Sequence, residues 1–589
     1  MTETSQHDTG RTGLGGASAL FAIRLATGLV QGLALYLLYL AADSRVWPET
    51  QPVVFGALAL AAGYVPVVVL AGVGRVKPLA LILWAAAAAG VLALLGAHDV
   101  ARQVLKPQEE PPFLSFPVLA FGAAALFIAH HLIVPAIRER GWIVDYADYF
   151  DIAWKAGVQL ALSLGFTGAF WILLHLGAAL FKMIGLGILQ HLLSEAWFAI
   201  PVTALVFATA VQLTDVRDGL IRGVRTVALM LLSWLLLVIT VLVGGFLFAL
   251  PFTGLDGLWE TRSATALVLS AAAALIVLIN TAYQDGRADN LPPVVLRYGV
   301  RAASVLTAPL IVLAAWGLAL RIGQHGLTPD RIIAAACTLV GAVYGAGYLL
   351  AAVKPGGWMK PLERTNVAAA VLSVLVILAL FSPLADPARL SVQDQVARLQ
   401  RGAVSADMFD YDFLRFESGK AGEAALRRLA ASTDPRIARN ARAAQARPWP
   451  SGDTAQGRQA RKAAIRLKAA DGQSVPASFV DQLDAHVDVL FSCNAEAPCV
   501  VRSMDLNGDA RTDLLVATAR EIVAFDQDAQ GQWRVTGRYG FTCGRNAERM
   551  NEGLSTGVAT APATLPDLVV DGQRLRASPE VRCDATEPR

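Results

Sequence analysis

Charge is what this sequence has least of. Charged residues make up 16% of its 589 positions, whereas an average soluble protein carries about 25%. The formal net charge is only +3, and the basic residues are scattered through short segments. Nothing resembles the basic face that nucleic-acid binding needs, so no nucleic-acid partner is expected. Cysteine is scarce too: five in all, with only Cys337 before residue 385. The signatures of common enzymes are missing. There is no Walker A loop, no GxSxG, no HExxH and no CxxC. Gly13-Leu14-Gly15-Gly16 belongs to a flexible tail rather than a phosphate loop. His130 and His131, adjacent in sequence, would point to different helix faces and make a poor metal pair.

What the chain has instead is apolar length. It is 55% hydrophobic with a mean hydropathy of +0.49. Crossing the hydrocarbon core takes about 20 apolar residues in a helix. Candidate runs are 18–42, 51–73, 79–97, 114–134, 156–180, 197–213, 226–250, 263–283, 303–322, 331–353 and 366–385. Each must be helical, because lipid offers no solvent to open backbone. From residue 386 onward the composition is that of a soluble protein.

Orientation follows from Lys and Arg in the short loops. With the N-terminus in the cytoplasm, fifteen fall in cytoplasmic segments and seven in outer ones. The alternation holds loop after loop, so the bacterial inner membrane is expected, with the N-terminus cytoplasmic and the C-terminus periplasmic. A cleaved signal peptide is the alternative reading of the first run. Its apolar stretch is long and its leading segment weakly basic, which favours a retained helix.

The expected fold is therefore a polytopic α-helical membrane protein of about eleven spans with a C-terminal α+β soluble domain. Its parts are a disordered cytoplasmic tail (1–17), the membrane domain (18–385), a helical extracytoplasmic segment (386–446), a linker (447–486) and a β-rich unit (487–589).

Ionisable groups at membrane depth mark function by default, and these runs hold few. Arg24 and Gln31 are the most notable. With Thr27 they share one helical face, and Arg24 could also snorkel to the interface. Hydrogen bonding between helices is the plainer reading and a transport pathway the other. Pro66 and Pro309 interrupt two spans, a weak pointer to transport. Asn280 closes the eighth run. Gly341 and Gly345 have the spacing for close packing within the chain. Ahead of the fifth run, Asp145, Asp148 and Asp151 recur at spacing three, followed by Lys155. On a helix they share a face, with Tyr146, Tyr149, Phe150 and Trp154 expected along the membrane interface. This face reads as solvated, or as a cation or partner site. Lys182–Glu195 reads as an amphipathic stretch on the outer surface.

One motif in the tail carries specific chemistry. Asp505, Asn507, Asp509 and Asp513 stand at loop positions 1, 3, 5 and 9, and the carbonyl of Arg511 at position 7 completes a set of hard oxygens suited to structural Ca²⁺. Ala510 stands where an EF-hand has Gly, and Val516 where it has Glu, so the loop is not an EF-hand. It is similar to the short DxNxD loops of integrin-type β repeats. A metal-free Asx turn is the alternative. The four remaining cysteines, Cys493, Cys499, Cys543 and Cys583, suit two disulfides in an oxidising compartment.

Four stretches carry a resemblance: RLATGLVQGLALYLL, YADYFDIAWKAGVQLALSLGFTGAFWILL, LRIGQHGLTPDR and FDYDFLRFESGKAGEAAL. Together they resemble a bacterial membrane family known as domain of unknown function 4153, over most of residues 18–445. The resemblance implies a multi-spanning inner-membrane protein and supplies no activity and no catalytic residues. Three functional classes remain. The first is a membrane-anchored envelope scaffold or sensor whose outer domain binds an envelope protein partner. The second is a transporter or channel for a small solute. The third is a membrane enzyme acting on a lipid-linked substrate.

Overall fold

A computed structural model describes residues 14–104, 113–216, 218–254, 264–287, 291–355 and 357–447. With short gaps it also describes 462–540, 553–560, 568–570 and 573–575. The chain forms two compact units: Met1–Ala403 with Glu417–Arg428, and Val404–Phe416 with Leu429–Arg589.

The first unit is helical. Its elements are α1 (Leu14–Asp43), α2 (Pro52–Gly72), α3 (Pro78–Ala101), α4 (Phe116–Glu139), α5 (Tyr146–Met183), α6 (Ile188–Ser194) and α7 (Ala196–Val216). Then come α8 (Asp218–Thr253), α9 (Ala264–Tyr283), α10 (Val294–His325), α11 (Pro329–Val353), α12 (Pro361–Leu380) and α13 (Pro387–Gln400). Among the described residues eleven helices, α1–α5 and α7–α12, are long and apolar enough to cross a membrane. Each expected apolar run centres on one of them. Leu79, Leu94, Val241 and Phe248 point away from the bundle, as side chains facing lipid do. Alanines such as Ala272, Ala282, Ala303 and Ala369 are buried inside it.

Small residues set the closest approaches, because dispersion between well-fitted backbones, not hydrophobic expulsion, holds helices together in lipid. A Cβ on Gly96 of α3 would sit 2.5 Å from the carbonyl oxygen of Gly56 on α2. Gly341 and Gly345 pack within the chain against Ile311 and Ala308 of α10.

Several helices outrun their apolar cores. The fifth begins ten residues ahead of its run, at Tyr146. Its 38 residues reach about 57 Å at 1.5 Å per residue. The YADYFDIAWK stretch is thus a continuation of the helix beyond its apolar run. Tyr146, Tyr149 and Phe150 are buried against neighbouring helices. Their phenyl faces are worth more inside the bundle than beside it, provided each hydroxyl finds a partner. The stretch Lys182–Glu195 bends at Gly185, in the left-handed region, before the short α6.

Past the last span, α13 is capped by Asp386, which accepts from the Ala388 N–H at 2.9 Å. It seats on the turn inside LRIGQHGLTPDR. Asp394 accepts from the Leu327 N–H at 2.7 Å, and Ser391 donates to the Leu327 carbonyl at 2.8 Å. Arg398 donates to the carbonyls of Gly323 and Gln324. The next segment touches the end of α3, where the Lys420 N–H donates to the Arg102 carbonyl at 2.9 Å. Gly419 has φ +55° there, and a Cβ on it would run into that same carbonyl oxygen. The stretch 386–446 expected as one helical segment therefore divides between the two units.

The second unit holds α15 (Pro435–Ala446) and the whole β domain, while α14 (Gly419–Ala430) falls in the first unit up to Arg428. Strands β1 (Leu467–Ala469), β2 (Cys499–Met504), β3 (Asp513–Ala517), β4 (Glu521–Gln527) and β5 (Trp533–Gly540) form one sheet in that order. The first pair is parallel and the rest antiparallel. Central β3 is buried on both faces. Leu514 and Val516 join Phe479, Phe525 and Trp533 on one side, while Leu515 and Ala517 join Val500, Ala524 and Leu554 on the other. That alternation is the two-residue period of a strand. Strand β1 and the short α16 (Ala477–Asp481) fall where a linker was expected. A disulfide joins Cys493 to Cys499. Cys543 and Cys583 lie outside the described residues. A further hairpin pairs β6 (Leu568–Val570) with β7 (Gln573–Leu575).

Candidate functional site

In the first unit, polar side chains gather where α5 and α12 begin and α9 and α11 end. Four helices meet there through four side chains. Tyr348 of α11 donates to Asn366 Oδ1 of α12 at 2.7 Å. Asn366 Nδ2 donates to Asn280 Oδ1 of α9 at 2.6 Å and to the Tyr146 hydroxyl of α5 at 3.0 Å. Asn280 Nδ2 returns to the Tyr348 hydroxyl at 2.7 Å and also reaches the Ile276 carbonyl. The ring closes on itself, so almost every donor and acceptor is used. Buried amides and hydroxyls survive in low dielectric only on such terms. Next to it, Tyr283 donates to Glu363 Oε1 at 2.9 Å, and Lys360 Nζ matches that carboxylate at 2.7 Å.

A cavity of 230 Å³ opens against this ring, with His131, Tyr146, Asn280 and Asn366 among its lining. Through Leu132, Tyr146, Tyr149 and Val367 it shares walls with a larger cleft of 1220 Å³ between α4 and α12. A third space, 920 Å³, is bordered by α9, α11 and the later half of α12, with Arg321, Asp330 and Arg331 on its edge.

Arg24 and Gln31 both turn inward. Arg24 is buried and donates to Gln212 Oε1 at 2.5 Å and Asp215 Oδ2 at 2.6 Å, both on α7. Arg75 shares Asp215 at 3.3 Å and reaches Gln159 of α5 at 3.2 Å. The guanidinium is thus paired inside the protein rather than snorkelled. Gln31 Nε2 donates to the Gly63 carbonyl of α2 at 2.9 Å. These contacts tie α1 to α7 and α2.

The three aspartates part ways. Asp145 sits at the N-cap of α5 without a side-chain cap bond and is exposed. Asp148 stands in the first turn, where the helix dipole favours a carboxylate. Asp151 pairs with Arg225 of α8 at 2.5 Å, and that guanidinium lies 5.9 Å over the Phe150 ring. Lys155, one turn on, is partly buried. Sequence reasoning passed over Asn366, Tyr348 and Asp99. Asn366 is one amide inside RTNVAAAVL, and Tyr348 reads as an ordinary core aromatic. Asp99 is buried at the end of α3, where it accepts from Arg102, the Ser115 N–H and the Ser115 hydroxyl. A lone polar residue near the end of an apolar run was the available signal in each case.

In the second unit, Asp505 accepts from the N–H groups of Gly508 at 2.7 Å and Ala510 at 2.9 Å. Asn507 accepts from Asp509, and Asp509 from Arg511. Ala510, at loop position 6, holds φ +63°, the left-handed conformation usually given to Gly. Asp513 accepts from the Leu506 N–H at 2.8 Å and is buried, with its other oxygen unpartnered. Continuing the β3–β4 register one step past Leu514–Phe525 places Asp526 directly across from it. Burial holds the Asp513 carboxyl above the ordinary carboxylate range, and Asp526 adds to this, against the Leu506 N–H. Among the described residues no three His, Cys, Asp or Glu side chains converge as metal ligands. The donors are nonetheless all oxygens, and an unpartnered buried carboxylate oxygen facing a second carboxylate is what a hard cation would relieve. Asp505, Asn507, Asp509, Asp513 and the Arg511 carbonyl offer only oxygen donors, the kind a hard cation takes, but the three aspartates do not converge on one point here.

No curated protein and no solved structure matches the chain. The family model described as a domain of unknown function, DUF4153, matches residues 54–429. That span runs from the second membrane helix through the segment that docks beneath α3, well over half the chain, and the protein therefore belongs to the DUF4153 family of integral membrane proteins.

Proposed function

We propose that the protein is a membrane-anchored scaffold or sensor of the bacterial envelope. Its eleven helices hold the chain in the inner membrane, and its C-terminal unit binds a partner on the periplasmic side. The observation that carries this reading is the separate, two-faced core of the β domain. Central β3 is covered on both sides by that domain's own residues, so the domain has the makings of a recognition module rather than a loop of the membrane part. The Cys493–Cys499 bridge suits an oxidising compartment. The excess of Lys and Arg in alternate loops gives the same side for the C-terminus. Ca²⁺ in the Asp505–Asp513 loop would be structural, fixing the β2–β3 connection.

Topology reporters fused after Arg589 test the orientation. Alkaline phosphatase fused there is expected to be active and a fluorescent protein dark. The opposite pattern removes both the periplasmic placement and the case for the partner on that side. Titrating the full chain with Ca²⁺ while following hydrogen exchange in β2 and β3 tests the metal. Unchanged exchange at saturating Ca²⁺ leaves the loop an Asx turn.

A further inference from the structure

The cleft between α4 and α12 is apolar along its walls and basic at its mouth. Leu132, Ile133 and Ile137 line one side and Val367, Val371 and Leu375 the other. The mouth holds Arg140, Arg364, Asp145 and Glu363. Glu363 already has Lys360 Nζ and the Tyr283 hydroxyl on one oxygen. Arg140 and Arg364 are exposed and have no carboxylate partner among the described residues. They outweigh the one unmatched carboxylate, Asp145. Beside Arg140, which ends α4 at φ +53°, Trp142 is 100% exposed and Ile143 77%. A bare Trp and Ile next to an Arg at the end of a span belong at the lipid–water boundary, where amphipathic rings settle. With that boundary at Trp142, the apolar walls of the cleft would face acyl chains, and Arg140 and Arg364 the headgroups.

Apolar walls alone select nothing, since the surrounding bilayer offers a lipid chain the same environment. Guanidiniums do select. Their planar fork matches phosphate oxygens, and the charge-assisted bonds are about twice as strong as neutral ones. We propose that this cleft is a binding site for an anionic phospholipid. The phosphate lies at Arg140 and Arg364, and the acyl chains run between α4 and α12 toward Leu375. The volume, 1220 Å³, exceeds the roughly 300–1,000 Å³ of a drug-sized ligand pocket and leaves room for chains. The adjoining small cavity, with Asn280 and Asn366 in its lining, shares the walls formed by Leu132, Tyr146, Tyr149 and Val367.

The full chain in vesicles of phosphatidylcholine with a minority of photoactivatable phosphatidylglycerol tests this. Crosslinks are expected to concentrate on Val367–Leu375 and Leu132–Ile137. Unlabelled phosphatidylglycerol should compete them away and added phosphatidylcholine should not. R140Q/R364Q should lower the preference for the anionic lipid about tenfold per lost charge-assisted contact, with crosslinking of a labelled phosphatidylcholine unchanged. Labelling as strong at Leu94 and Val241, on the outside of the bundle, overturns the site. So does equal competition by the two lipids on the unmodified chain, a measurement that needs no variant to fold. Labelling of the cleft that survives R140Q/R364Q undiminished also overturns it, leaving an unselective groove.

Discussion

Replacing Asn366 by Leu is the sharpest probe of how the membrane unit holds together. The substitution nearly conserves volume but removes three hydrogen bonds: from Tyr348 at 2.7 Å, to Asn280 at 2.6 Å and to Tyr146 at 3.0 Å. Each of the three partners keeps at least one bond, since Tyr146 still donates to Asn280, and Asn280 to Tyr348 and the Ile276 carbonyl. The cost is therefore that of three interhelical bonds rather than of bare orphaned groups. Measured bonds of this kind in membrane proteins average about 0.6 kcal/mol and reach about 1.7. The Tyr348 hydroxyl proton is left without an acceptor in a fully buried position, which takes the total to about 2–3 kcal/mol. At roughly 2–4 °C per kcal/mol for a chain of this class, the apparent melting midpoint should fall by about 5–10 °C. The assay is thermal unfolding of the purified chain in detergent, read by size-exclusion fluorescence. The double change with Asn280→Leu should cost less than the sum of the two single changes, because both break the Asn280–Asn366 bond. An Asn366→Leu chain melting within about a degree of the unmodified one would refute the closed ring. Strict additivity would show that the two amides do not touch.

Other outcomes follow from particular contacts. Gly96→Val should weaken the α2–α3 packing, because its Cβ meets the Gly56 carbonyl oxygen at 2.5 Å. A loss of about 1–3 kcal/mol is expected, read as a lower melting point, and the smaller Gly96→Ala should lose less. Ala510→Gly relieves a left-handed residue and should stabilise the β domain by about 1 kcal/mol, measured as slower hydrogen exchange in β2 and β3. Burial holds the His486 imidazole below its ordinary value, with Phe479 and Phe525 against its ring. Folding therefore favours its neutral form. The contribution is complete above about pH 6.5 and is lost as pH falls through the folded value. Exchange in β4 should quicken on acidification, and His486→Phe should flatten that part of the profile. Asp513 has the opposite sign. Its raised pKa means that the ionised carboxyl costs stability as pH rises through the folded value. Without Ca²⁺, Asp513→Asn should therefore slow exchange in β3 at neutral pH, and the same variant should blunt any response to Ca²⁺.

The eleven spans were legible in the sequence because crossing lipid is a local requirement. A bilayer-length apolar run must satisfy its own backbone, whatever its neighbours do. The β-rich character of residues 487–589 was legible for a related reason, since short apolar runs bounded by Gly and Asp are written along the chain itself. The family resemblance rested on stretches whose purpose emerged only in three dimensions. The LRIGQHGLTPDR turn seats α13, and Gly419 lies against Arg102. Which face of YADYFDIAWK is buried depends on α9, α11 and α12, more than a hundred residues away, so no local pattern marks Tyr146 as a core residue. The same holds for Asn280 and Asn366, 86 positions apart, and for Arg24, whose carboxylate partner stands 191 positions later. Hydropathy counts how much polarity a span carries. Whether that polarity is satisfied, and by what, is a matter of which helices meet, and only the tertiary structure decides it.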